Sequence, residues 1–225
     1  MNNLNLRAWL SLVVLAVIMA LLLFVPAGTT DDWQAWMFLL VFFGASVLQT
    51  AYLMKHDPAL LQRRMRGGPL AEKETAQKAI MFATSSGFIA LLVVSGLDRR
   101  YGWSMVPIEV VIVGDILIVV GYLIIFFVFR ENTFTAATIE VMNDQRVIST
   151  GPYALVRHPM YAGGLLYLLG MPLALGSYVA LIPFAASVPF LFWRLFDEER
   201  LLTKDLPGYA AYCEKVRWRL IPGVV

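Results

Sequence analysis

The chain has 225 residues, of which 59% are hydrophobic and only 15% are charged, and its mean hydropathy is +0.69. A soluble domain is typically about 45–50% apolar and about 25% charged, so this composition excludes a disordered chain and argues against a soluble globular protein. A net charge of +2 gives no support to nucleic-acid binding. The single cysteine, Cys213, excludes an internal disulfide, and no spacing resembles a zinc site. The composition therefore predicts one multi-pass membrane domain, 1–225.

The first 129 residues contain four runs with few or no charges, each long enough for a membrane-spanning helix of roughly 20 residues. The runs are 8–30, 33–54, 79–97 and 103–129. The first is interpreted as a retained helix, because it is too long for a signal peptide and lacks a clear cleavage site. The fourth contains Glu109 and Asp115. We expect a structural or interfacial role for Asp115 rather than proton relay, because no acidic or His partner lies at comparable depth.

A fifth uncharged run, 159–193, is 35 residues long, which is too long for one span and short for two. Proline and glycine residues interrupt it, and Arg157 and Arg194 flank it. Basic residues at both ends indicate that both ends lie on the same side of the membrane. The sequence thus predicts an all-α fold: four transmembrane helices in 1–129, then a region 130–225 with a helical hairpin at 159–193 and a cytoplasmic tail helix.

The distribution of Lys and Arg predicts the orientation, because cytoplasmic loops are enriched in these residues. With the N-terminus inside, 16 of the 18 basic residues fall on the inner side, and only Arg99 and Arg100 fall outside. Both termini are therefore predicted to be cytoplasmic. The inner segment 55–78 contains a strongly basic stretch, 62–69, which we interpret as a loop that fixes orientation and contacts anionic lipid. A role in gating an active site is the alternative.

Two polar clusters flank the hairpin. In the first, Gly151-Pro152 predicts a turn, and Pro159 biases His158 away from helical backbone. Irregular backbone at membrane depth needs protein or a polar cavity to satisfy it, so this segment is either a ligand site or an interfacial anchor. In the second cluster, Arg194 and Glu198 share one helix face, where a surface ion pair is the simpler interpretation. Because the hairpin brings both clusters together, we expect a site at an apolar–polar boundary.

The two clusters together resemble the integral-membrane methyltransferases that include isoprenylcysteine carboxyl methyltransferase and the phospholipid methyltransferases. The matching elements are Gly151-Pro152-Tyr153, Arg157-His158-Pro159-Met160-Tyr161-x-Gly163, Glu198-Glu199, Gly208-Tyr209-x-x-Tyr212, and Arg219-Leu220-Ile221-Pro222. The resemblance covers roughly residue 129 to the C-terminus. It implies S-adenosylmethionine as cofactor and Arg194 as the catalytic residue that faces the methyl acceptor. The implied cofactor-binding residues are Gln145, Arg146, Val147, Ile148, Tyr153, His158, Pro159, Met160, Tyr161 and Glu198.

The physical chemistry of these residues is compatible with that cofactor. A carboxylate suits its ammonium group, tyrosine rings suit the adenine or the sulfonium, and His158 or Arg157 suits its carboxylate. Backbone groups near Val147 and Ile148 suit the adenine edge. No metal site is expected. Tyr209 and Tyr212 are expected to pack the tail over the site.

The acceptor is expected to be lipophilic, such as a prenylcysteine carboxylate, with a phospholipid amine or a small thiol as alternatives. Membrane lipids are the expected surroundings. A membrane reductase using NADPH is a further alternative, because sterol reductases share an Arg-His-Pro-x-Tyr-x-Gly element. Glu198-Glu199 and the residues Met160 and Gly164 favour methyl transfer. A non-enzymatic transporter or scaffold rests only on Asp115, and no inverted repeat supports it.

Overall fold

The computed structural model describes residues 3–68, 71–72, 74–139, 141–142 and 144–224. Within these ranges the chain is helical and has no strand. The helices are α1 Asn3–Ala27, α2 Trp33–His56, α3 Pro58–Arg64, α4 Thr75–Tyr101, α5 Ile108–Glu131, α6 Pro159–Ala174, α7 Leu181–Asp205 and α8 Tyr209–Lys215. A short 3₁₀ helix, Gly151–Ala154, precedes α6. The predicted all-α class is confirmed.

Four helices, α1, α2, α4 and α5, are long and apolar enough to cross a membrane. They overlap the four predicted runs, with ends that differ from those of the runs by at most five residues. Large apolar side chains on them are exposed, including Val17, Leu40 and Leu48. In a soluble protein such surface would be a liability, but it is the expected lipid-facing surface of a membrane helix.

The predicted hairpin is formed by α6 and α7 with a turn at 175–180. The 16 residues of α6 span about 24 Å, which is shorter than the roughly 30 Å hydrocarbon core. Gly176 in the turn has a φ of 66°, a left-handed backbone conformation that glycine adopts without strain. The charge-free run therefore forms a helical hairpin whose first leg is shorter than a full span.

A buried carboxylate holds the turn of the hairpin against α4. Asp98, near the end of α4, accepts hydrogen bonds from the backbone and hydroxyl of Ser104 and from the hydroxyl of Ser177. The Ser177 hydroxyl oxygen also accepts from the amide of Ala180 at 3.1 Å. At the same end of the bundle, Arg99 donates to the carbonyl of Asp31 at 2.9 Å. The two loops predicted to lie outside thus meet at one end.

Helices α5 and α6 make the largest interface in the described chain. Glycines spaced seven residues apart on each helix bring the two backbones close: Gly114 and Gly121 on α5, Gly163 and Gly170 on α6. Small residues of this kind allow tight helix packing in membranes. The interface fixes the start of α6, where the Arg-His-Pro motif lies.

Asp115 on α5 stays without an assigned role. One of its carboxylate oxygens is buried and has no hydrogen-bond partner among the described residues. This contact pattern supports neither relay nor transport.

Candidate active site

A cavity of about 360 Å³ lies at the opposite end of the bundle from Asp98. Its walls come from the segment after α2, the connection between α5 and α6, the start of α6, the end of α7, and α8. These segments carry most of the basic residues that the sequence places on the cytoplasmic side. The volume lies within the range of small-molecule and cofactor sites.

All eleven residues predicted for the site line this one cavity. They are Gln145, Arg146, Val147, Ile148, Tyr153, His158, Pro159, Met160, Tyr161, Arg194 and Glu198. The hairpin thus brings the two clusters together, as the sequence predicts. Their individual roles stay predictions.

The carboxylate of Glu198 accepts a hydrogen bond of 2.7 Å from the hydroxyl of Tyr161. Glu198 lies on α7 and Tyr161 in the first turn of α6, so this bond joins the two legs of the hairpin. Among the described residues, Glu198 forms no ion pair with a Lys, Arg or His side chain. Glu198 therefore presents to the cavity a carboxylate that has no described cation at ion-pair distance.

Arg194 is buried and is held by three acceptors. Its guanidinium donates to the carboxylate of Glu72 at 2.8 Å, to the side-chain oxygen of Gln77 at 2.9 Å, and to the carbonyl of Ala137 at 2.9 Å. The amide of Gln77 donates in turn to the carboxylate of Asp197. Two of these three partners, Glu72 and Gln77, lie more than a hundred positions earlier in the chain.

This geometry corrects one interpretation from the sequence. A surface ion pair between Arg194 and Glu198, both in the described chain, does not form; Arg194 pairs with Glu72 instead. The two residues both line the cavity, as their spacing predicts, but they do not form an ion pair with each other.

The second acid of the pair, Glu199, faces two arginines and one histidine. Its carboxylate lies 3.1 Å from Arg157, 3.3 Å from His158 and 2.8 Å from Arg219. Burial alone would raise the pKa of Glu199, but hydrogen bonding and charge from His158, Arg219 and Arg157 outweigh burial and lower it to about 2. Glu199 is therefore a structural anion.

Arg157 and His158, which were expected to suit the cofactor carboxylate, already have a carboxylate partner in Glu199. Arg157 and His158 both contact Glu199, although their side chains also line the cavity. Their backbone amides donate to the carbonyls of Trp218 and Arg219, each at 2.9 Å. The motif thus fastens the C-terminal tail to the site as well as lining it.

Tyr153 is fixed from two sides. Its hydroxyl accepts a hydrogen bond from Asn132 at 2.9 Å, and its carbonyl accepts from the hydroxyl of Tyr212 at 2.7 Å. Burial raises the pKa of Tyr153 above its ordinary value, so its hydroxyl stays neutral at physiological pH. Tyr209 and Tyr212 of α8 are buried and line the cavity, which is where the tail was expected to pack.

Residues 145–148, in the connection between α5 and α6 and just before the 3₁₀ helix, also line the cavity. The amides of Arg146, Val147 and Ile148 make no backbone hydrogen bond to another described residue. Unpaired donors at a cavity wall are suited to a ligand with polar edges. No cluster of three or more metal-binding side chains occurs in the part of the chain that the structure describes.

Sequence reasoning missed three residues of the site, one that lines the cavity and two that hold Arg194. Arg64 ends α3 and lines the cavity, while Glu72 and Gln77 hold Arg194. All three lie in the segment 55–78, which the charge pattern led us to interpret as a lipid-contacting loop. The alternative interpretation, a role in gating the active site, had no positive signal beyond the position of the segment.

One known protein family matches the part of the chain that contains the predicted site residues. Residues 110–207 match the phospholipid methyltransferase family. The match runs from α5 to just beyond α7 and includes every predicted site residue, whereas Arg64, Glu72, Gln77 and α8 lie outside it. No curated protein matches the chain. The resemblance expected from the sequence is confirmed.

Proposed function

We propose that this protein is a membrane methyltransferase that uses S-adenosylmethionine to methylate a lipophilic acceptor, a proposal that the family match over residues 110–207 supports. The observation that carries the proposal is the single cavity in which both predicted clusters meet. The family match favours methyl transfer over the reductase and scaffold alternatives.

The cavity has the groups that the cofactor needs. Glu198 offers a carboxylate with no described ion-pair partner for the ammonium group, and Tyr153 and Tyr161 offer aromatic faces for the sulfonium or the adenine. The amides of 146–148, which make no backbone hydrogen bond within the described chain, suit the adenine edge. These fits support S-adenosylmethionine as the ligand.

Methyl transfer from S-adenosylmethionine needs little covalent catalysis by the protein. When bound, S-adenosylmethionine supplies a methyl group already activated by the sulfonium. The chain must align the acceptor and exclude water, which is the contribution of a preorganised, enclosed site. Arg194, held by Glu72 and Gln77, is the proposed orienting donor for the acceptor. Its rigid clamp suits that task because little order is lost on binding.

A prenylcysteine carboxylate is the proposed acceptor, with a phospholipid amine or a small thiol as alternatives. A carboxylate is already ionised at neutral pH and needs no base. An amine or thiol would need one, and His158 at the cavity is in contact with Glu199. Apolar side chains on α4, α6 and α7, among them Met81, Leu168 and Leu191, supply a wall for an acyl or prenyl chain.

The site is proposed to face the cytoplasm, with both termini on that side. The segments that carry most of the basic residues converge at the cavity, and the loops of 28–32 and 98–104 meet at the other end. This sidedness agrees with the positive-inside rule. Labelling Cys213 of α8 with a membrane-impermeant maleimide should succeed in inside-out vesicles and fail in right-side-out vesicles.

Isothermal titration with S-adenosylhomocysteine tests the cofactor. The purified protein should bind it, and Glu198→Gln should weaken binding roughly 10- to 100-fold, because a charge-assisted hydrogen bond contributes about 1.5–3 kcal/mol. Glu214→Gln, at an exposed glutamate of α8, is the matched control and should bind like wild type. No binding by a folded wild-type sample, or binding of NADPH in its place, would overturn the proposal.

A further inference from the structure

Arg64 is a cation at the cavity that forms no ion pair with a described residue. It is the last residue of α3, and its guanidinium donates to the carbonyl of Ala136 at 3.0 Å and lies 3.7 Å from the sulfur of Met160. The same group stands over the ring of Phe129, with 5.2 Å to the ring centroid. All of these partners are neutral.

Arg64 differs from the other arginines that line the cavity. Arg157 and Arg194 have a carboxylate within 2.8–3.1 Å, and Arg146 is exposed to solvent. Among the described residues, Arg64 has no carboxylate at ion-pair distance, and burial lowers the pKa of its guanidinium. A cation removed from water without a counter-ion is costly, so such groups are normally paired.

Arg64 and Glu198 are therefore two groups of opposite sign at the cavity that each lack an ion-pair partner among the described residues, although their charges attract each other at longer range. Glu198 has Tyr161 as its only hydrogen-bond partner in the described chain. Arg194 is not equivalent to Arg64, because Glu72 already balances its charge. A ligand that satisfies both open groups must carry a cationic and an anionic part, or two ligands must supply one each.

We infer that Arg64 is an anion-binding residue of the active site and contacts a carboxylate or phosphate group of a bound ligand. The inference rests on the proposed function and deepens it, since neither the family match nor the predicted site includes this residue. The planar guanidinium suits both groups, because it can donate two parallel hydrogen bonds to either. Two sources share this chemistry: the carboxylate of the cofactor, and an anionic group of the acceptor.

The experiment compares Arg64→Gln with wild type by two measurements. The first is titration with S-adenosylhomocysteine and with 5′-methylthioadenosine, which lacks the carboxylate. The second is the rate of methyl transfer into a membrane extract as a function of extract concentration. Arg66→Gln is the matched control, because Arg66 is exposed and lies outside the cavity. Arg64→Lys keeps the charge and provides a second variant, and thermal unfolding of each variant confirms that it is folded.

We expect a roughly 10- to 100-fold loss in one of the two measurements for Arg64→Gln, and a smaller loss for Arg64→Lys. Weaker S-adenosylhomocysteine binding with unchanged methylthioadenosine binding identifies the cofactor carboxylate as the anion. Unchanged cofactor binding with a raised half-saturating extract concentration identifies the acceptor. Equal weakening of both nucleosides, or no change in either measurement, would overturn the inference. Absence of S-adenosylhomocysteine binding by wild type would instead refute the proposed function.

Discussion

The glycine interface between α5 and α6 makes a quantitative prediction for Gly114→Ala. A methyl group at Gly114 would lie 2.2 Å from the amide nitrogen of Ala174 and 2.8 Å from the carbonyl oxygen of Gly170. Both are backbone atoms, so no side chain can turn away and the helices must separate. Overpacking of this kind costs about 1–3 kcal/mol, and backbone contact places it at the upper end. The gain of about 1 kcal/mol from alanine in a helix offsets part of it. We expect a net loss of about 2 kcal/mol.

Gly44→Ala on α2 is the matched control, because no atom lies within 4 Å of a methyl group placed there. It should leave the free energy of unfolding unchanged or raise it by up to about 1 kcal/mol. Reversible unfolding in mixed detergent micelles, followed by helical circular dichroism, measures both variants under one condition. If Gly114→Ala is as stable as Gly44→Ala, the close approach of the two helices is wrong.

Three further predictions concern buried polar groups. Glu72→Gln removes the charge that balances Arg194, so kcat should fall roughly 10-fold or more while the affinity for S-adenosylhomocysteine stays unchanged. Steady-state kinetics measures kcat, and titration measures the affinity. An equal loss of affinity would contradict a positioning role for Glu72. Glu199→Gln should lower stability at pH 7 by roughly 1–3 kcal/mol. Because the folded pKa of about 2 lies below the ordinary 4.5, the difference from wild type should shrink as pH falls from 4.5 towards 2; a difference that grows at low pH would contradict this assignment. Asp98→Ala leaves the Ser177 hydroxyl without its acceptor and should cost about 1–3 kcal/mol per lost partner, measured as for the glycine variants; a neutral effect would show that the turn is held otherwise.

The positions and lengths of the uncharged runs in the sequence predicted most of the fold. The bilayer demands uncharged helices of fixed length, so runs without charge mark α1, α2, α4 and α5 directly. The hairpin was predictable for the same reason, since 159–193 fits neither one span nor two. Its two basic ends then placed both clusters at one end of the bundle. The shared cavity follows from that topology.

The partner of each charged side chain was not predictable. Adjacent residues on a helix point about 100° apart, so Glu198 and Glu199 face different neighbours although they are alike in sequence. The partner of Arg194 lies 122 residues away in a segment whose basic character suggested only lipid contact. The paired glycines at intervals of seven on α5 and α6 were a visible signal for the close interface. Combining that spacing with the hairpin topology would have predicted it.

Transfer of a radiolabelled methyl group tests the central claim most directly. Wild type and Glu198→Gln are each incubated with labelled S-adenosylmethionine and a membrane extract, and the labelled product is identified. We expect wild type to label a product that partitions into organic solvent, and Glu198→Gln to label it at least roughly 10-fold more slowly at limiting cofactor. A folded wild-type protein that transfers no label, or equal rates for the two proteins, would contradict the assignment of this cavity as a methyltransferase site.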